Sequence, residues 1–240
     1  LFWGRYSKLS PMSKERFLCV ALCDEGEIAA VVEAAAKQNL MLLAQTDTQL
    51  QDKPTLINHL GLDELPSKSG NLAAALFEGP DAIAKMAQIP NTLHTSSSPT
   101  LGLIEAQAFS LYTGAMQTTF AWVKPDAFSR RAEVIELAET SGFTVLASKE
   151  HRLSRAEAEA FYDEHKERPF YGGLVDFMMS GPVLALVLQR PCAITAWRSL
   201  VGPTNSIKAR EVAPFSVRAT FGTDGSTNAT HGSDSAAAAA

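Results

Sequence analysis

The chain has 240 residues, 46% of them hydrophobic and 20% charged, the make-up of a soluble globular protein with room for one large domain or two small ones. Its net charge is −5 and its 21 Lys and Arg form no run, which excludes duplex nucleic acid as a main partner, because such binding rests on clustered cations. A small phosphate ligand needs only a few local cations and stays compatible with this balance.

The first residues, "LFWGRYSKLS", lack the charged-then-apolar order of a signal peptide and lack an initiator Met. Residues 1–15 read as a linker from a preceding segment. The nearest approach to a membrane span, "FLCVALCDEGEIAAVVEAAA", is cut by Asp24, Glu25 and Glu27, so neither a span nor a membrane partner is expected. Three cysteines, Cys19, Cys23 and Cys192, cannot all pair with one another. A reduced compartment, the cytoplasm, is the simpler reading. Cys19 and Cys23 have no second Cys/His pair nearby, so they read as structural rather than as zinc ligands.

From residue 16 the chain reads "RFLCVALCDE", "EIAAVVEAAAKQNLMLLAQ", "KSGNLAAALFEGPDAIAKMAQI" and "PNTLHTSSS". A second series follows a boundary near residues 114–118. "TTFAWV" is a β-rich run stopped by Lys124-Pro125-Asp126, and "AEVIELAETSG" is a helix closed by Gly142. "FTVLAS" is a strand. "SRAEAEAFY" opens with a capping box from Ser154 to Glu157. "SGPVLALVLQ" is a buried strand, "AITAWRSLV" a helix, residues 202–227 a long polar loop, and the end a short strand carrying His231. Alternating elements of this length predict an α/β sandwich of the split-βαβ, ferredoxin-like kind.

The two series repeat each other. "RFLCVALCDE" matches "TTFAWVKPDA", which sets Leu22 against Lys124 and Cys23 against Pro125. Ser69-Gly70 meets Ser180-Gly181, and Pro80 meets Pro191, without a gap. In the first series the long polar loop is almost absent, but Asn91 and His94 keep the spacing of Asn228 and His231. The expected organisation is a degenerate domain over 16–115 and a second domain over 116–240.

Polar residues in the second domain gather at element ends: Lys124, Tyr162, Arg198, Thr204, Arg218, Asn228 and His231. Arg by its planar fork and Lys as a point charge are natural phosphate ligands. Singly, each has a plain structural explanation. Their order, within "TFAWVKPDA", "FYDEHKERPFYGGLVDFMMSGPVLALVL", "WRSLVGPTN", "SVRATFGTDG" and "NATHGSDS", resembles the nucleoside diphosphate kinase family over about residues 118–235.

That resemblance implies a ping-pong transfer of a γ-phosphoryl group through a phosphohistidine at His231. It implies that Lys124 meets the ribose and the transferring phosphate beside Asn228. Arg198, Thr204 and Arg218 would hold the distal phosphates. Phe170 would stack on the base with Leu174 near it, and Tyr162 and Ser233 would support the histidine. Gly232 is expected to keep bulk away from the imidazole. Magnesium would be bound through the nucleotide phosphates, with no protein cage. In the family a glutamate in the following helix orients the ring, and the sequence stops at Ala240 before one appears. "SDSAAAAA" reads as the first turn of that helix, so both ends read as those of a piece of a longer protein.

The first domain reads as degenerate and catalytically silent, although His94 and Glu105 keep a histidine–glutamate spacing. The tandem form, with "FGTDG" before the histidine, resembles the divergent kinases of ciliary axonemes. This implies a cilium or flagellum location and axonemal, microtubule-associated partners. Two readings stand: a magnesium-dependent kinase, and a kinase-like axonemal scaffold that binds nucleotide without turnover.

Overall fold

The computed structural model describes residues 17–49 and 71–239. The linker expected at 1–15 and the Ser69-Gly70 match lie outside the described residues. The first half forms one four-stranded sheet from β1 (Phe17–Asp24), β2 (Met41–Gln49), β3 (Asn71–Gly79) and β4 (His94–Thr95), in the order β2-β3-β1-β4. The second forms another from β5 (Met116–Val123), β6 (Thr144–His151), β7 (Val183–Pro191) and β8 (Thr230–Gly232), in the order β6-β7-β5-β8. β1 runs antiparallel to both neighbours, and so does β5. A third strand inserted between the first and second is the split-βαβ, ferredoxin-like arrangement, and it occurs twice, as the repeat predicted.

Apolar residues account for the layering. β1 and β3 are buried almost throughout, and β7 alternates between buried and half-buried positions. The helices Ile28–Lys37 and Arg131–Thr140 bury matching pairs one turn apart, Val31 with Ala35 and Val134 with Ala138. Both are followed by a left-handed residue, Asn39 (φ 61°) and Gly142 (φ 82°). The helix Arg155–Phe161 starts on the expected capping box at Ser154 and Glu157. The described residues divide into two compact units between Leu111 and Tyr112, apart from 41–44, which group with the second. The boundary read from sequence was 115/116.

Two sequence expectations need correction. The segment 202–227 is not an unstructured loop: it contains the helices Ser206–Val212 and Val217–Phe221. Asn205 and Ser216 cap them by accepting backbone N–H bonds. At seven and five residues, both are too short to show a clear helical period in sequence.

The second correction concerns register. His94 lies opposite Leu22, and His231 lies opposite Trp122. Ala74 faces Leu22 and Ala185 faces Trp122 across the other edge. Leu22 is therefore the counterpart of Trp122, Cys23 of Val123, and Asp24 of Lys124. The sequence match was two residues out. A slip of two preserves the in–out alternation of a strand, so the hydrophobic pattern could not reveal it. A 3-10 turn, Glu25–Glu27, follows Asp24 directly, whereas its equivalent, Phe128–Arg130, starts only after Pro125–Ala127. Those three residues have no counterpart in the first half.

The spacing of His94 and Glu105 does form a pair. His94 Nε2 lies 3.1 Å from Glu105 Oε1, and the Ser96 hydroxyl donates to Glu105 Oε2 at 2.5 Å. Ser96 Oγ also accepts the Val20 N–H at 2.8 Å. Glu105, 1% exposed, thus ties the helix Pro99–Ala108 to the sheet. Gly102 lets that helix come close: a Cβ there would sit 2.3 Å from the Leu18 carbonyl oxygen. Removing the carboxylate in Glu105→Ala leaves two polar partners unsatisfied. It should cost the first unit roughly 2–4 kcal/mol, seen as a lower urea midpoint for that unit. Glu105→Gln, which keeps an acceptor, should lose less.

Candidate active site

The site forms where β5 ends and β8 begins. Lys124 follows β5 directly and is 5% exposed. Its Nζ donates to Asn228 Oδ1 at 2.8 Å, and its backbone N–H donates to Ala229 O at 2.8 Å. Asn228 Nδ2 donates to the carbonyls of Thr204 (3.1 Å) and Gly225 (3.0 Å). One amide side chain thereby joins the lysine to the start of the segment before the helix Ser206–Val212.

Arg218, on the helix Val217–Phe221, donates Nη1 to Gly202 O (2.9 Å) and Nη2 to Thr230 O (3.1 Å). The second bond places the guanidinium beside the histidine strand. Among the described residues its Nε has no hydrogen-bond partner, and neither has the buried Tyr162 hydroxyl. Arg198 stands exposed in the last turn of the helix Ala193–Val201.

His231 sits on β8, with its ring against aromatic edges: Phe161 at 5.2 Å and Tyr162 at 6.2 Å between centroids. Burial pulls its pKa down to about 4, with Lys124, Arg218 and Arg198 pushing the same way and Asp234 opposing. The imidazole is therefore neutral near pH 7, with its nitrogen lone pair available. Burial, followed by Arg218, lowers Lys124 to about 8, against the pull of Asp126. Arg218 falls to about 10 through burial and Arg198. Burial pushes the Tyr162 hydroxyl up. The cluster is one electrostatic unit: a neutral nucleophile among crowded cations, chemistry suited to an anionic electrophile.

The structure thus brings together Lys124, Arg198, Arg218, Asn228, Tyr162 and His231, with the Thr204 backbone at the edge. Phe170, 53% exposed, reaches the group through His165, whose ring is 5.8 Å from Phe170 and stacked 6.2 Å from Tyr162. Leu174 packs on the core of Trp122, Tyr162 and Val175. The role expected for Ser233 is corrected, and Gly232 meets a further neighbour. The Ser233 hydroxyl donates to Ala238 O at 2.9 Å, tying the next helix rather than the ring. A Cβ on Gly232 would lie 2.3 Å from Trp197 Cδ1. The glycine makes room for that indole, whose Nε1 donates to His231 O at 3.3 Å.

Comparison with known proteins agrees with this geometry. A family model described as nucleoside diphosphate kinase matches residues 117–240. The chain belongs to the nucleoside diphosphate kinase family. It is 50% identical over 124 residues to "Nucleoside diphosphate kinase homolog 7" of Rattus norvegicus, covering 52% of this chain and 31% of that protein. It is 39% identical over 168 residues to "Thioredoxin domain-containing protein 6" of Xenopus laevis, covering 68% of this chain and 26% of that protein. This match is longer than the second half, so it takes in part of the first. Among solved structures, the Aquifex aeolicus nucleoside diphosphate kinase matches with a TM-score of 0.50 and 46% identity, over 52% of this chain and 90% of that one. The chain thus spans about a third or less of the two longer relatives. These relatives fit the divergent tandem form expected of the chain.

Sequence reasoning missed four residues of the kinase-like site: Phe161, which packs on the imidazole; His165; Trp197; and Asp126, which accepts the Ala229 N–H at 2.9 Å. "FYDEHKERPF" contains two of them, but only the fold shows which faces turn inward. The electrostatics can be checked by NMR titration. His231 should titrate near pH 4, far below an ordinary histidine. Lys124→Met should raise that midpoint, because it removes a positive neighbour. A His231 midpoint near 6.5 in the unaltered protein would contradict the cluster.

Proposed function

We propose that the second half of this chain transfers the γ-phosphoryl group of a nucleoside triphosphate to a nucleoside diphosphate through a phosphohistidine on His231. Nucleotide phosphotransfer is the general chemistry of the family, and the observation that carries the reading here is the convergence of Lys124, Arg198 and Arg218 on one neutral imidazole.

In the first step a His231 nitrogen attacks the γ-phosphorus. The N–P bond forms, the P–O bond to the β-phosphate breaks, and the nucleoside diphosphate leaves with the electron pair. In the second step a terminal oxygen of the acceptor diphosphate attacks the same phosphorus, and the N–P bond returns its pair to the ring. Splitting one transfer into two lowers each barrier. Lys124 and Arg218 stabilise the charge that spreads over the transferring oxygens. Arg198 and Thr204 hold the phosphates further out, and Asn228 keeps the lysine aimed. Phe170, exposed and backed by His165, offers a stacking face for any base. The site's own donors are cationic, which fits phosphate oxygens. Magnesium, which family members use, would enter on those phosphates and offset their charge.

The first half is read as silent in this reaction, because Asp24 stands at the lysine position and the segment that carries Arg218 has no counterpart. We place the protein in the cilium or flagellum axoneme, with microtubule-associated partners, from the divergent tandem form of the sequence. A second reading, a kinase-like scaffold that binds nucleotide without turnover, draws on that silent half.

Incubation with γ-labelled ATP separates the two. The kinase reading expects acid-labile, alkali-stable label that His231→Asn abolishes. Nucleotide binding with no label on the unaltered protein leaves the scaffold. Arg218→Ala should slow transfer by roughly 10²–10³-fold with the fold retained. A normal rate in that variant would remove Arg218 from the mechanism.

A further inference from the structure

Asp126 has no part in the roles assigned above, yet it grips the residue on which the site turns. Its Oδ2 accepts the Ala229 N–H at 2.9 Å, while Ala229 O accepts the Lys124 N–H at 2.8 Å. Ala229 is fully buried and left-handed, with φ 65°, a conformation that residues with a side chain adopt only when their surroundings hold them there. Its neighbour on one side is Asn228, which binds Lys124 Nζ; on the other side Thr230 leads to His231. Asp126 therefore closes a ring of contacts joining the end of β5 to the start of β8.

We propose that Asp126 is a positioning residue for phosphoryl transfer: its carboxylate fixes the Ala229 corner, and through it the placing of Lys124 and Asn228 against His231. The first half supports this by contrast. It has no residue for Asp126, and Thr92, which stands at the place of Ala229, is not left-handed; the left-handed residue there is Asn91 (φ 65°), one position earlier and of a type that accepts this conformation readily. The charge of Asp126 has a separate effect. Lys124 is faced by Asp126, Arg218 and His231, and only the carboxylate favours its protonated form. The proposal rests on the kinase reading for its catalytic consequence but not for its geometry.

The test compares Asp126→Ala and Asp126→Asn in the full 240-residue chain. Three readouts are taken: amide exchange at Ala229, the NMR titration of Lys124, and steady-state kinetics with ATP and a diphosphate acceptor. Asp126→Ala should expose the Ala229 amide to faster exchange and lower kcat by roughly 10- to 100-fold, with KM changing far less because Arg198, Thr204 and Phe170 remain. Asp126→Asn keeps an oxygen for Ala229, so exchange should stay slow. Both variants should move the Lys124 midpoint, and the alkaline limb of kcat/KM, below the wild-type position near pH 8. A purely structural residue would change stability and leave that limb in place. Unchanged Ala229 exchange in Asp126→Ala, or a kcat within twofold of wild type beside an unmoved limb, overturns the proposal. If the unaltered protein takes up no label on His231, the kinase reading fails on its own. Exchange at Ala229 in Asp126→Ala then still decides whether Asp126 holds the corner; if that variant does not fold, Asp126→Ser, whose hydroxyl is too short to reach Ala229, takes its place with the same expected and overturning exchange.

Discussion

The ammonium of Lys124 lies almost wholly out of water, 2.8 Å from the Asn228 amide oxygen. A buried cation needs hydrogen-bond partners and nearby negative charge to stay protonated. Here these come from Asn228 and Asp126, both of which are also bonded to the chain just before His231. The bonds that keep the lysine charged therefore also set the path of the histidine strand. Loosening them would cost charge and geometry together.

The second constraint is repulsion. Lys124, Arg198 and Arg218 all disfavour a proton on His231, and Arg198 disfavours charge on Arg218. Such crowding works against stability in the resting protein. It is tolerated because the Arg218 guanidinium is anchored on the Gly202 and Thr230 carbonyls, and because the imidazole gives up its charge. An incoming phosphate chain relieves the repulsion, which is why fixed cations favour an anionic substrate without having to rearrange. Asp24 at the lysine position in the first half reverses the sign of this argument, and the imidazole there is instead joined to a carboxylate.

Much of this was legible in the residues. Strand and helix order, the Ser154 capping box and the duplication follow from periodicity and punctuation. So do the cationic positions at element ends. The histidine–glutamate spacing was legible only through the family resemblance. What escaped was anything that period two cannot encode. A slip of two residues leaves every side chain of β1 on its proper face, so Leu22 passed as the lysine counterpart until the cross-strand pairing assigned Asp24. The Gly232–Trp197 approach joins residues from separate elements, and no local signal reports it. Asp126 read only as part of the stop that ends β5. Its carboxylate matters because Ala229, more than a hundred positions later, is left-handed without being glycine. The helices Ser206–Val212 and Val217–Phe221 were hidden by their brevity within a polar stretch.

The Ser96–Glu105–His94 chain gives the duplication a use of its own. Ser233 occupies the place of Ser96, since the two backbone N–H groups meet Phe120 O at 3.1 Å and Val20 O at 3.0 Å. Within one polypeptide, then, one imidazole has an acid behind it and lacks the lysine, while its twin is surrounded by cations. The protein carries its own reference compound: each histidine, observed in the same sample under identical solvent, calibrates what the other's neighbours do to it.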